Sequence, residues 1–129
     1  MINFRTSANL VKVFVMAAVI LTAAQVSAAS ENTESCEIVN GTGRTIVALE
    51  CVALKNEWNN KDLLGGRVLD NGQSTRIKYS PRVRYFRLRI FFDNGKSITW
   101  KKIDFLDAWR LTLYQGSDGK FKYTKNSRG

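Results

Sequence analysis

The sequence contains no histidine, a single proline and two cysteines in 129 residues. Without an imidazole, the Ser/His/Asp and Cys/His nucleophile systems are excluded, together with HExxH zinc sites and most ordinary zinc or copper sites. Two thiols cannot build a four-thiolate cluster, and the acids show no EF-hand spacing. What remains is mainly binding, with a few carboxylate-only chemistries, calcium binding or glycoside hydrolysis by loop acids, as the lesser alternative, and no catalytic residue, cofactor or metal is expected. Acids are also scarce, with 11 Asp and Glu against 20 Lys and Arg and a formal net charge of +9. A content of 44% hydrophobic and 11% aromatic residues is nevertheless that of one folded globular domain.

The first 28 residues differ from the rest. Arg5 and Lys12 come without an acid, Val13 to Ala24 is apolar apart from Thr22, and Val26-Ser27-Ala28 fits a small-residue cleavage pattern. A membrane span needs roughly 20 apolar residues, so residues 1–28 are expected to be a cleaved secretory signal peptide. The processed chain is then periplasmic or extracellular, with no transmembrane segment. Cys36 lies too far beyond Ala28 for lipid attachment at the cleavage site. Residues 29–35 form a polar leader, residues 36–124 the folded domain and residues 125–129 a frayed tail.

Charge is divided unevenly along the processed chain. Ala29 to Asn71 holds seven acids and four bases, a net of −3, whereas Gly72 to Gly129 holds four acids and fourteen bases, a net of +10. The basic character therefore belongs to the second half.

Strands and turns account for most of the pattern. Cys36 to Val39 and Thr45 to Val52 read as β runs bracketing Asn40-Gly41-Thr42-Gly43, a hairpin turn, and the second run is apolar on both faces or contains a bulge. Asn60 is placed to cap one helical turn over Lys61 to Leu64, ended by Gly65. Arg67-Val68-Leu69 and Thr75 to Tyr79 suggest another hairpin around Asp70 to Gln73. From Tyr85 to Phe92, Phe86, Leu88, Ile90 and Phe92 alternate with Tyr85, Arg87, Arg89 and Phe91, which places arginines opposite a core face. After it, Asn94-Gly95 is best read as a three-residue loop with Gly95 left-handed, because that register pairs Ile90 with Ile98 and Leu88 with Trp100. Arg110 to Gln115 and Lys120 to Thr124 complete seven or eight short strands. The expected fold is all-β, a single antiparallel sandwich or small barrel.

Asn40-Gly41-Thr42-Gly43 with Ile46 and Leu49, Trp58 with Asp62-Leu63-Leu64, Val68-Leu69 with Gly72-Gln73-Ser74, Phe86 with Leu88-Arg89-Ile90, Phe92 with Asp93 and Gly95, and Trp100 with Ile103-Asp104-Phe105 together resemble a family of small exported bacterial β-rich proteins of unassigned function. Some of its members carry an argininosuccinate lyase label, an activity of large helical tetramers. The resemblance runs from about Ile38 to Leu113 and implies a β-rich exported domain, with motifs made of turns and core aromatics. Members often have cysteines near the positions of Arg84 and Leu106; this chain has Cys36 and Cys51 instead, so no family disulfide carries over.

Four groups of residues are candidates for function. Cys36 and Cys51, on neighbouring strands of an exported chain, are expected to bridge. Arg76, Lys78, Arg82, Arg84, Arg87 and Arg89, with Tyr79, Tyr85 and Phe91 interleaved, suit phosphate, sulfate or carboxylate ligands. In that compartment the partners would be an anionic envelope lipid, a glycan or an acidic protein, and not nucleic acid. The alternative is a solvated face that guards sheet edges, with a structural or inhibitory contact made through an edge strand or loop. Asp62, Asp70, Asp93, Asp104, Asp107 and Asp118 read as turn residues bonding their own backbone. Trp58, Trp100 and Trp109 are expected in the core.

Overall fold

The alternation of apolar and polar residues produces seven strands: β1 (Glu34–Gly41), β2 (Ile46–Ala53), β3 (Ser74–Tyr79), β4 (Tyr85–Phe92), β5 (Ser97–Asp104), β6 (Ala108–Gln115) and β7 (Phe121–Ser127). The structure is a computed structural model that describes residues 32–128, so the signal-peptide reading of residues 1–28 lies outside the described residues. Two sheets form, sheet A in the order β3-β1-β6-β7 and sheet B in the order β2-β4-β5. Every pairing is antiparallel except β1 with β6, which run parallel from Glu37↔Arg110 to Gly41↔Tyr114. Among the described residues no helix is long and apolar enough to cross a membrane.

The inner faces meet in one core. Cys36 and Ile38 of β1, Ile77 of β3 and Leu111 and Leu113 of β6 join Leu49 of β2, Leu88 and Ile90 of β4 and Ile103 of β5 in a single buried cluster. Each such aliphatic side chain contributes about 1.5–3 kcal/mol relative to exposure. One end of the core is aromatic: Tyr79 packs edge-on against Phe105 at 5.1 Å between ring centres and against Phe86 at 5.7 Å. Its hydroxyl donates to the Ala108 carbonyl at 3.1 Å, which satisfies the one polar atom the ring brings inside.

The register after β4 is the one expected, with Ile90↔Ile98 and Leu88↔Trp100. Gly95 takes a positive φ of 83°, and a bulge interrupts β2 between Ile46 and Ala48. Other local expectations are corrected. Asn40-Gly41-Thr42-Gly43 does not close a hairpin, because β1 and β2 belong to different sheets. The motif instead carries the chain from sheet A to sheet B. The fully buried Asn40 amide donates to the Arg44 and Leu69 carbonyls at 2.7 and 2.8 Å and accepts from the Thr42 amide and hydroxyl at 3.0 and 2.6 Å. Gly41 is needed because a Cβ there would meet the Leu113 carbonyl oxygen at 2.9 Å, the neighbour supplied by the parallel pairing.

The expected hairpin around Asp70 to Gln73 is likewise absent. Leu69 makes one isolated bridge to Ile46, and β3 pairs with β1. No helical turn forms over Lys61 to Leu64. There the Asp62 carboxylate accepts from the amides of Leu49, Leu64 and Gly66 at 3.0, 2.9 and 3.1 Å, tying the connection onto the edge of β2. Burial opposes ionisation of Asp62, but these three amides outweigh it and hold its carboxyl below the usual range. β1 begins at Glu34, inside the stretch read as a polar leader, and β7 runs to Ser127, so most of the expected tail is paired.

Candidate functional site

The expected basic face is not one surface. Arg76 and Lys78 project from the outer side of β3 in sheet A, whereas Arg87 and Arg89 project from the outer side of β4 in sheet B. β3 and β4 are consecutive in sequence, but the connection between them crosses from one sheet to the other. Arg82 and Arg84 lie at that crossing. Tyr79 points inward and is buried, so it leaves the set.

On sheet B the arginines are already engaged. Glu50 faces Arg89 across the β2–β4 register, and the Arg89 Nε donates to its Oε1 at 2.8 Å, with Nη2 bonding the same oxygen. Trp58 covers both cations, its ring centre lying 4.2 Å from the Arg89 guanidinium and 4.8 Å from that of Arg87. Arg87 donates through Nη2 to the Asn56 carbonyl, while its Nε is buried without a partner. The segment after β2 therefore folds back over the outer face, which explains why Glu50 and Val52 are buried at outward positions. Phe91 lies beside the same group, 5.3 Å from the Arg89 guanidinium. Trp58 belongs to this cover and not to the core.

On sheet A the arrangement is open. A shallow cleft of about 410 Å³ is lined by Ser35, Glu37, Arg76, Trp109, Arg110 and Arg128. Register explains the gathering: Glu37 of β1 stands between Arg76 of β3 and Arg110 of β6. Arg110 donates to Glu37 at 2.7 Å and lies 4.4 Å from the centre of the Trp109 ring. Arg128 donates to Glu34 at 2.8 Å and to the Ser35 carbonyl at 3.2 Å. Arg76 has no ion pair among the described residues. Trp109 is exposed, against the expectation of a core position, whereas Trp100 points inward and packs on the core at the β5 edge.

Arg84 is held by Asp104 in a forked pair with separations of 2.9–3.2 Å. Hydrogen bonding to Arg84 and to the Leu106 amide draws the Asp104 carboxyl down to about 2. Tyr85 lies next to this pair, with the Lys102 ammonium 4.4 Å from its ring centre. Asp118, like Asp104, bonds the amide two residues on, as the turn reading of these acids implies.

The expected bridge is not formed: Cys36 and Cys51 are free thiols. They sit on strands of different sheets, not on neighbouring strands of one hairpin, and both face the shared core. Burial pushes Cys36 up to about 11 and Cys51 up to about 12, which keeps both protonated at neutral pH.

The sequence pattern singles out neither Arg110 nor Arg128, and it places Trp109 in the core. The signal was present in the acids: Glu34 and Glu37 are three residues apart in the acidic half and find their cations in the basic half.

No family model matches the chain, and no curated protein does. Among solved structures, the fold resembles a protein from Eubacterium rectale determined by NMR, with a TM-score of 0.54 and 11% sequence identity, over 74% of this chain and 90% of that one. At that identity the likeness shows the fold alone.

Proposed function

We propose that this protein is an exported, non-catalytic binding module that holds an anionic group in the sheet A cleft. Kinship with the exported β-rich family forms part of the same reading. The partner would be an anionic component of the cell envelope, lipid or glycan, or an acidic protein. The supporting observation is the convergence of Arg76, Arg110 and Arg128 with the exposed Trp109 around one cleft. Guanidinium groups match carboxylate and phosphate with paired donors, and an exposed indole adds a stacking surface.

The test is binding of the purified protein to immobilised envelope lipids, acidic glycans and peptidoglycan at low and near-physiological salt. Saturable binding to one class, weakened at least tenfold in Arg76→Ser/Arg128→Ser and steeply dependent on salt, supports the reading. Arg87→Ser/Arg89→Ser should leave that binding intact, because Trp58 covers both cations, with Arg89 paired to Glu50 and Arg87 bonded to the Asn56 carbonyl. Equal binding by the Arg76/Arg128 variant and the parent would overturn it.

A second reading rests on a separate observation. β5 and β7 both leave an outer edge unpaired among the described residues, on the side where Trp100 and Tyr123 meet. A contact made by strand addition there would run through backbone bonds and persist at high salt.

A further inference from the structure

Two tight turns flank an open hollow at the end of sheet B that shares no residue with the sheet A cleft. In the first, the Asn56 amide donates to the Ala53 carbonyl at 2.9 Å and the Leu54 amide to the Tyr85 carbonyl at 3.0 Å. In the second, which contains Pro81, the Val83 amide donates to the Ser80 carbonyl at 3.1 Å. The space between them is about 430 Å³, within the roughly 300–1,000 Å³ of small-molecule sites. Arg87 also bonds the Asn56 carbonyl from below, so the first turn is anchored to β4 and the hollow is preformed.

Its lining has two chemistries. Ala53 and Val83 pack on the core, which makes the floor of the hollow continuous with the protein interior. Leu54 stands in the wall at 37% exposure, one of few large apolar side chains left in solvent. Around this apolar surface, Lys55 and Arg82 are exposed and have no ion pair among the described residues. Arg84, by contrast, is occupied by Asp104. A simple anion could use Lys55 and Arg82 but would leave Leu54 and Val83 wet. A neutral apolar molecule would cover Leu54 and leave both cations unanswered.

We infer that this hollow binds one anionic amphiphile as a monomer, with its tail against Leu54 and Val83 and its acidic head on Lys55 and Arg82. The complementarity is of charge and apolarity together, and each methylene buried strengthens binding about fourfold. This site shares no residue with the sheet A cleft and stands or falls separately from it.

The test is titration of the purified protein with dodecyl phosphate below its micelle concentration, followed by calorimetry and by the Leu54 and Val83 methyl resonances. In Arg76→Ser/Arg128→Ser, where the sheet A cleft no longer competes for the acidic head, saturable one-to-one binding is expected, at least tenfold tighter than that of inorganic phosphate or of uncharged dodecyl maltoside. Lys55→Ser/Arg82→Ser and Leu54→Ser, all at exposed positions, should each weaken it at least tenfold while the thermal midpoint stays within a few degrees of the parent. The Leu54 and Val83 methyl resonances of the parent should report the same affinity as those of Arg76→Ser/Arg128→Ser. Equal binding of inorganic phosphate, equal binding of the maltoside, or adsorption to phosphatidylglycerol vesicles without binding of the monomer would each overturn the inference. So would unchanged affinity in both hollow variants.

Discussion

The two outer faces of the sandwich use the same side chain differently. On sheet B, Arg87 and Arg89 lie beneath Trp58 and are bonded to Asn56 and Glu50. On sheet A, Arg76, Arg110 and Arg128 surround an open cleft in which two of the three lean on half-buried glutamates of β1. The side chains of the Arg89–Glu50 pair are 23% and 9% exposed, and those of the Arg110–Glu37 pair 40% and 22%. That difference decides what each arginine is for. A covered cation stabilises the fold through its partners, whereas a solvated one pairs weakly and can exchange its glutamate for another anion. Counting arginines along a strand says nothing about this, because the cover comes from a loop elsewhere in the chain.

The comparison can be broken most severely at Glu50. Glu50→Ala leaves Arg89 partly buried and unpaired, a loss of about 2 kcal/mol. Thermal unfolding should show a fall in Tm of roughly 10 °C, and an unchanged midpoint would mean that sheet B is no more dependent on its ion pair than sheet A. Next comes Trp58→Ala, which removes cation–π contacts of about 1 kcal/mol and opens Arg87 and Arg89 to solvent. In a binding assay this variant should acquire a second anion site that disappears when Arg87→Ser is added. On sheet A the corresponding change is milder: Glu37→Gln should shift stability by no more than about 0.5 kcal/mol. It should raise anion affinity severalfold at low salt by freeing Arg110.

The smallest effect concerns acid. Asp104 is drawn down to about 2 by Arg84 and the Leu106 amide, against a reference of 3.8. A depressed carboxyl stabilises the fold above its reference value and loses that contribution as pH falls from about 4 through 2. Asp104→Asn should therefore flatten the loss of Tm over that range and leave the neutral-pH side of the curve unchanged in slope. Acid titration of both proteins by circular dichroism would reveal it.

Strand identity and facing were legible wherever alternation was strict. Phe86, Leu88, Ile90 and Phe92 turn inward, as their spacing requires, and Asn94-Gly95 sets the register because only one loop length places apolar residues opposite each other. Partners joined by a tight turn were legible, as for β4 with β5, but partners distant in sequence were not. Alternation tells which side of a strand is buried but not which strand lies beside it, so β1 was given its neighbour in sequence when its true partners are β3 and β6. The Asn40 motif looked like a turn because its residues favour left-handed and capped backbones. Its real work is done by an amide that spans to Leu69, 29 positions away. For the site, residue types were legible and their grouping was not. The covering by Trp58 and the convergence of Arg110 and Arg128 with Arg76 both depend on those long-range pairings.

The parallel pairing of β1 with β6 also constrains the order of assembly. Sheet B contains a local hairpin, β4 with β5, that can close as soon as its turn is made. Sheet A has at its centre a strand from the beginning of the domain whose second neighbour is 73 positions later. Loop closure over such a distance is entropically costly and slow. During synthesis β1 therefore waits with an edge unfilled until nearly the whole domain has emerged, and a chain cut short before Ala108 keeps that edge exposed. Completion of the sheet A cleft is consequently a last event, since Arg110 and Arg128 arrive only with the final two strands and the segment that follows them.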